Sequence, residues 1–140
     1  MDFTRRKILG LGSGAFAVAT FVGMPAFASK ADDAIVAFTG GVDVTEGGVV
    51  MTAPEIAENG NTVPVAVSAP GAVSIMVLAT GNPTPAVATF NFGPLAGARS
   101  GSTRIRLAKT QDVIAIAKME DGTFRKAGAT VKVTIGGCGG

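Results

Sequence analysis

Only one side chain in this sequence offers distinctive chemistry, and it is a sulfur. Cys138 is the single cysteine of the 140 residues, and the chain contains no His, Trp or Tyr. An imidazole general base, a triad built on His and a His-ligated metal are thereby excluded. One cysteine also excludes an intramolecular disulfide and a multi-cysteine metal cage. The carboxylate pairs Asp43/Glu46, Glu55/Glu58 and Glu120/Asp121 follow no recognised cation-binding loop and read as solvated surface charge. No cofactor and no metal of the chain's own is expected.

The setting of the sulfur is as informative as its type. Gly136-Gly137-Cys138-Gly139-Gly140 follows Ile135 directly. Glycine brings maximal backbone freedom and no side-chain bulk. Three residues lead from Ile135 to Cys138, so the sulfur reaches roughly 10 Å beyond the last strand residue. The arrangement is a thiol on a thin, flexible arm that fits a narrow slot in another protein. A buried structural cysteine does not suit this place, because the flanking glycines give it nothing to pack against. It is no prenylation box, since two residues follow the cysteine, and no lipoprotein cysteine, since it lies at the wrong end. An intermolecular disulfide tether stays open in an oxidising compartment.

No Lys or Arg adjoins Cys138 and no helix N-terminus lies beside it. Near the reference pKa of ~8.5, only about 3 % is thiolate at neutral pH. A nucleophile that turns over substrate normally has its activator nearby. Here another protein must supply it. That favours a covalent carrier over a thiol enzyme acting alone, with a disulfide-tethered structural or interaction subunit as the alternative.

The N-terminal stretch has an export function. Arg5-Arg6-Lys7 precedes an uncharged run from Leu11 to Phe27 that ends in Ala26-Phe27-Ala28. A charged start, an apolar middle and a small-x-small end are the three parts of a cleaved signal peptide. Arg5 and Arg6 followed by Ile8-Leu9 fit the twin-arginine route, which delivers folded proteins to the periplasm. The competing reading is a membrane anchor, but glycines at 10, 12, 14 and 23 and Pro25 leave the run short of the ~20 strongly apolar residues of a permanent span. Residues 1–28 are therefore expected to be removed, leaving a body at 29–135 and an arm at 136–140. The cut takes three basic residues of twelve and one acidic residue of ten, so nine of each remain and the mature chain is neutral. A basic patch for nucleic acid and long-range electrostatic steering both drop out.

The body must position the arm. Ala34 to Phe38 is expected to form a short helix, with Asp32 or Asp33 near its start and Gly40-Gly41 at its end. The rest alternates between strand-like runs and turn residues. Strands are expected near Val49–Met51, Thr62–Ser68, Val73–Thr80, Val87–Phe92, Ser102–Lys109, Val113–Lys118 and Phe124–Ile135. Pro54 to Asn61 reads as a connecting loop, and Pro64 as the mark of an edge or a strand start. Glu120-Asp121-Gly122 has hairpin chemistry. Val73 to Thr80 is apolar on both faces, which marks it as central or as covered by a partner chain. Phe90, Phe92 and Phe124 are expected to supply the bulk of the core. The expected fold is all-β: an immunoglobulin-like antiparallel β-sandwich with a short N-terminal helix and a flexible glycine arm. No helix suits a crossover between parallel neighbours.

The terminal Gly-Gly-Cys-Gly-Gly after a strand, the twin-arginine signal, the segment Pro54 to Val65 and the stretch Asn82-Pro83-Thr84-Pro85 together resemble the SoxY family of bacterial thiosulfate oxidation. The resemblance covers essentially the whole body and arm. It implies that Cys138 carries thiosulfate-derived sulfur and that Gly136, Gly137, Gly139 and Gly140 give the arm its freedom. It implies a periplasmic heterodimer with SoxZ. It also implies transient partners: the haem enzyme SoxAX, which couples thiosulfate to the cysteine, the dimanganese hydrolase SoxB, which releases sulfate, and in some systems a sulfur dehydrogenase.

Overall fold

The computed structural model describes residues 26–135. The first element is α1 (Ala26–Thr39), followed by β1 (Val44–Glu46), β2 (Val50–Thr52), β3 (Ile56–Ala57), β4 (Val63–Ser68), β5 (Ala72–Ala79), β6 (Ala86–Asn91), β7 (Ser100–Ile105), β8 (Gln111–Met119) and β9 (Phe124–Val133). The strands form a larger sheet in the order β1-β9-β8-β5-β6, with β3 also paired to β9, and a smaller sheet in the order β2-β4-β7. The two sheets enclose the main core, so the architecture is the expected β-sandwich, with one helix among the described residues.

The alternation seen in sequence sets the inward faces. Ile75, Val77 and Ala79 of β5 point between the sheets, together with Val113, Ala115 and Ala117 of β8 and Val63, Val65 and Val67 of β4. Leu107 and Val131 close the same cluster and are fully buried. The bulk of this core is aliphatic rather than aromatic, contrary to expectation. Phe90 and Phe92 are only partly buried at its margin, and Phe124 lies outside it altogether. The reason is the width between the sheets: β-branched side chains fill a two-layer interior at close to native density without rings. Where Phe90 does reach inward, it lies against the backbone of Gly101 in β7. A Cβ there would lie 2.5 Å from the ring.

The second apolar face of β5 is covered by the chain itself. Met76 and Leu78 join Ile116 and Phe124 in a separate cluster under α1, with Ala34, Ile35 and Phe38 packed onto it. Phe38 meets Phe124 edge-on at a centroid distance of 5.8 Å. The helix is longer than expected and begins at Ala26, so Asp32 and Asp33 fall within it rather than at its cap. Ala31, Ile35 and Phe38 recur at helical spacing and turn its apolar stripe to the sheet. A short helix is marginal alone, and this packing sustains it. Its end is as expected, with Gly40 and Gly41 at φ of 66° and 87°, a left-handed termination that glycine adopts without strain. The expected processing point after Ala28 falls in the first turn, ahead of Ala34, Ile35 and Phe38.

The ladders are antiparallel between β2 and β4, β4 and β7, β5 and β6, β5 and β8, and β8 and β9. Two short pairings depart from that pattern: β1 and β3 both run parallel to β9. No crossover helix is needed, because most of the sandwich lies between each pair in sequence. The expected loop from Pro54 to Asn61 thus contains a strand. Pro64 lies in the middle strand of the smaller sheet, yet β2 pairs only from Ala66 to Ser68, so at Pro64 itself β4 has a neighbour on one side. That is the local edge which a residue without an N–H requires.

Candidate functional site

Cys138, the glycines at 136, 137, 139 and 140, and Arg5 and Arg6 lie outside the described residues. What is described is the root from which the Gly-Gly-Cys-Gly-Gly segment departs. It is built at the end of the sandwich where β9 finishes and where the β3–β4, β5–β6 and β7–β8 connections gather.

The root is held from two sides. On one side the segment around β3 runs parallel to the end of β9. The Lys132 amide donates to the Glu55 carbonyl at 2.9 Å, and the Thr134 amide donates to Ala57 at 3.1 Å. The Thr134 hydroxyl donates to the Glu58 carbonyl at 3.0 Å. The Gly60 amide then donates to the carbonyl of Ile135 at 2.8 Å. On the other side the Val133 amide donates to Thr110 Oγ1 at 2.9 Å. Hydrogen bonding thus continues past the last strand residue, to the carbonyl that precedes Gly136. Ile135 keeps an exposed side chain while its backbone is fixed.

A buried polar network lies behind this clasp. Asn82 Nδ2 donates to the Arg106 carbonyl at 2.7 Å. Asn82 Oδ1 accepts from the Ala108 amide at 3.0 Å and from Gln111 Nε2 at 2.9 Å. Gln111 Nε2 also donates to the Lys109 carbonyl at 3.0 Å, and its Oε1 accepts from the Gly81 amide at 2.8 Å. Residues 106–108 are thereby pinned on both sides of Leu107, whose amide donates to Gly60 at 2.7 Å. No buried side-chain polar atom among the described residues lacks a partner.

The root offers hydrogen bonding and shape rather than reactive groups. Among the described residues no cluster of His, Cys, Asp or Glu could hold a metal ion. The Asp121 carboxyl is held below its ordinary range, chiefly by the Thr123 hydroxyl and then by the Thr123 amide. It caps the β8–β9 hairpin, where the Gly122 amide donates to Met119, at the far end from the root. A groove of about 610 Å³ on the smaller sheet is lined by residues such as Pro54, Pro64, Ser102 and Arg104, and includes none of the root residues. No helix among the described residues is long and apolar enough to cross a membrane.

The family pattern of the sulfur oxidation protein SoxY matches residues 35–138, from α1 to the cysteine. The chain belongs to the SoxY family. A solved relative, the sulfur carrier protein SoxY from Chlorobium limicola f thiosulfatophilum, is 40% identical, covers 77% of this chain and 99% of its own, and superposes with a TM-score of 0.67. As a SoxY protein the chain is a sulfur carrier, not an enzyme. Weaker likenesses concern the fold alone. A superoxide reductase (neelaredoxin) from Ignicoccus hospitalis is 18% identical, with TM-score 0.55 over 62% of this chain and 80% of its own. A hypothetical protein from Pyrococcus horikoshii OT3 is 14% identical, with TM-score 0.51 over 64% and 96%. No curated protein matches the chain.

Two parts of the SoxY root were not singled out from residue chemistry: the backbone clasp at 55–60 and the Asn82–Gln111 network. Both fall in or beside the stretches that carried the family resemblance. Neither has a local signature, because a loop that pairs and a loop that does not have the same turn composition.

Proposed function

We propose that this SoxY protein carries thiosulfate-derived sulfur covalently on Cys138 and presents it to partner enzymes in the periplasm. The observation that carries the reading is the fixed root: backbone hydrogen bonding persists to Ile135, three residues before the only cysteine. A rigid base and a side-chain-free approach let a partner's active site take the sulfur without meeting the body.

In this reading SoxAX oxidatively joins the Cys138 sulfur to thiosulfate. One S–S bond forms, the thiol proton leaves, and two electrons pass to the haem enzyme. The product is a cysteine S-thiosulfonate. SoxB then adds water to the terminal sulfonate, releasing sulfate and protons and leaving a persulfide, with no net redox change. A sulfur dehydrogenase, where present, oxidises that remaining sulfur. The carrier contributes sulfur, reach and recognition, which accounts for the lack of an activator beside the cysteine. SoxZ is the heterodimer partner. The doubly apolar face of β5, a natural first choice for its seat, is already filled by α1 and the opposite sheet, so SoxZ binds elsewhere. No cofactor is expected to be inserted before export, and in this reading assembly with SoxZ in the cytoplasm gives the twin-arginine route its purpose. Deleting residues 1–28 then strands both subunits in the cytoplasm, and continued export of SoxZ alone contradicts that step.

Intact-mass analysis of the protein from thiosulfate-grown cells tests the carrier role. Adducts of thiosulfonate and persulfide mass on Cys138, removed by reductant, are expected. A thiol that is never modified refutes the role. A Cys138→Ser variant that loses a covalent dimer but leaves thiosulfate oxidation intact shows the structural tether instead.

A further inference from the structure

We infer that Asn82 is a positioning residue for the sulfur-bearing arm, acting through Leu107 and Gly60 on Ile135. The inference deepens the carrier reading above and rests on it.

Asn82 and Gln111 are the two buried carboxamides among the described residues, each 7% exposed. Burying a carboxamide is unfavourable unless its polar atoms are satisfied. Both groups occur at the end where β9 finishes, and the network they form is linked through Leu107 and Gly60 to Ile135, the residue before the arm. Asn82 grips residues on either side of Leu107, at the Arg106 carbonyl and the Ala108 amide. Leu107 is fully buried, so its side chain anchors the same segment from the core. Its amide donates to Gly60, and the Gly60 amide donates to Ile135. Gly60 is thus a two-sided backbone bridge, with the network on one side and the arm root on the other. A Gly60 that drifts with a loosened 106–108 segment loses its hold on Ile135.

The consequence is geometric. With Ile135 fixed, three residues separate it from Cys138; with its bond to Gly60 lost, Thr134, still held by Ala57 and Glu58, becomes the last held residue described, and four do. The local concentration of a tethered group falls as the −3/2 power of tether length, so lengthening alone lowers it about 1.5-fold at a partner's reactive atom. Loss of the departure direction adds to that. The arm's intrinsic thiol chemistry does not change, because no bond in the relay touches the sulfur.

The test uses the full chain with its heterodimer partner and the variant Asn82→Ala. Amide exchange at Gly60 and Leu107 is followed by NMR, and thiosulfate loading of Cys138 by the haem enzyme is followed by mass spectrometry at varied carrier concentration. A control variant, Phe38→Ala, perturbs the cluster under α1 and lowers stability away from the root. For Asn82→Ala the expected result is Gly60 exchange about tenfold faster, as for loss of one buried hydrogen bond, and KM for the carrier raised at least about 1.5-fold with kcat unchanged. Labelling of Cys138 by a small disulfide reagent stays at the wild-type rate. Phe38→Ala leaves Gly60 exchange and KM unchanged at a comparable loss of Tm. Unchanged Gly60 exchange in Asn82→Ala overturns the relay. Faster exchange with unchanged KM overturns the positioning role, and an equal KM rise in Phe38→Ala reduces it to general stability. If Asn82→Ala does not fold, Gln111→Met keeps the side-chain volume, removes the bonds to Asn82, Lys109 and Gly81, and is judged by the same readouts. Absence of loading in the wild-type protein refutes the carrier reading itself, separately from the relay.

Discussion

The contact between Phe90 and Gly101 makes the packing of the two sheets quantitatively testable. In Gly101→Ala the new Cβ would sit 2.5 Å from Phe90 Cδ1, 2.6 Å from Cε1 and 2.9 Å from Cγ. Because Cγ is the root of the ring, rotating the ring does not relieve the clash, and the whole side chain must move. Overpacking of this kind costs about 1–3 kcal/mol. Against it stands a gain of about 0.4–1 kcal/mol from the restricted unfolded chain, since Gly101 has no left-handed backbone to defend. The net expectation is a loss of about 1–2 kcal/mol, or about 5–10 °C in Tm for a domain of this size. The decisive measurement is a double-mutant cycle with Phe90→Ala by urea denaturation at constant m. Phe90 is only partly buried, so its truncation costs less than the ~3–5 kcal/mol of a fully enclosed ring. In the Phe90→Ala background, Gly101→Ala becomes neutral or stabilising, giving a coupling of about 2 kcal/mol. Equal effects in the two backgrounds refute the reasoning, since the clash then plays no part.

Further outcomes follow from the same structure. Leu78→Ala, at a fully buried position under α1, lowers unfolding free energy by about 2–5 kcal/mol, measured by urea titration; a loss below 1 kcal/mol means that the helix does not enclose the site. Phe38→Ala removes an edge-on ring pair and costs a further ~0.5–1.5 kcal/mol beyond its lost burial, with the coupling to Phe124 read from a second cycle. Asp121 is held low first by the Thr123 hydroxyl. A lowered folded-state value stabilises above the unfolded-state value and is lost as pH falls through the folded one. In Thr123→Val the carboxyl therefore titrates at higher pH by carboxyl-carbon NMR and this acid-side contribution shrinks, while an unmoved titration assigns the effect to the amide alone.

How much was legible beforehand depended on the range of the interaction. The alternation in Val73 to Thr80 and Phe124 to Ile135 is a local pattern of period two, and it announced β5 and β9 directly; the strand expected over Ser102 to Lys109 ends at Ile105, because residues 106–108 bond to Asn82 and Gly60 instead of a neighbouring strand. Gly40-Gly41 and Glu120-Asp121-Gly122 are local too, since a left-handed turn requires residues that tolerate it. The strands β1 and β3 are different. They are three and two residues long, and their partners lie across the sequence in β9, so nothing near them records the pairing. The cover over Met76 and Leu78 was visible as a need but not as a source, because an apolar face is the same to a helix of its own chain as to another protein.

Sequence alone determined the chemistry: one thiol, no imidazole, and glycines on both sides of the thiol are facts of covalent composition. Tertiary structure alone decided what the arm is fastened to. The Glu55–Gly60 segment, residues 106–108 and the buried pair Asn82 and Gln111 are linked to one another, and through Gly60 to Ile135, only because three connections fold to one end of the sandwich. Their bonds are mostly to backbone carbonyls and amides, which every residue possesses, so side-chain identity could not reveal them in advance.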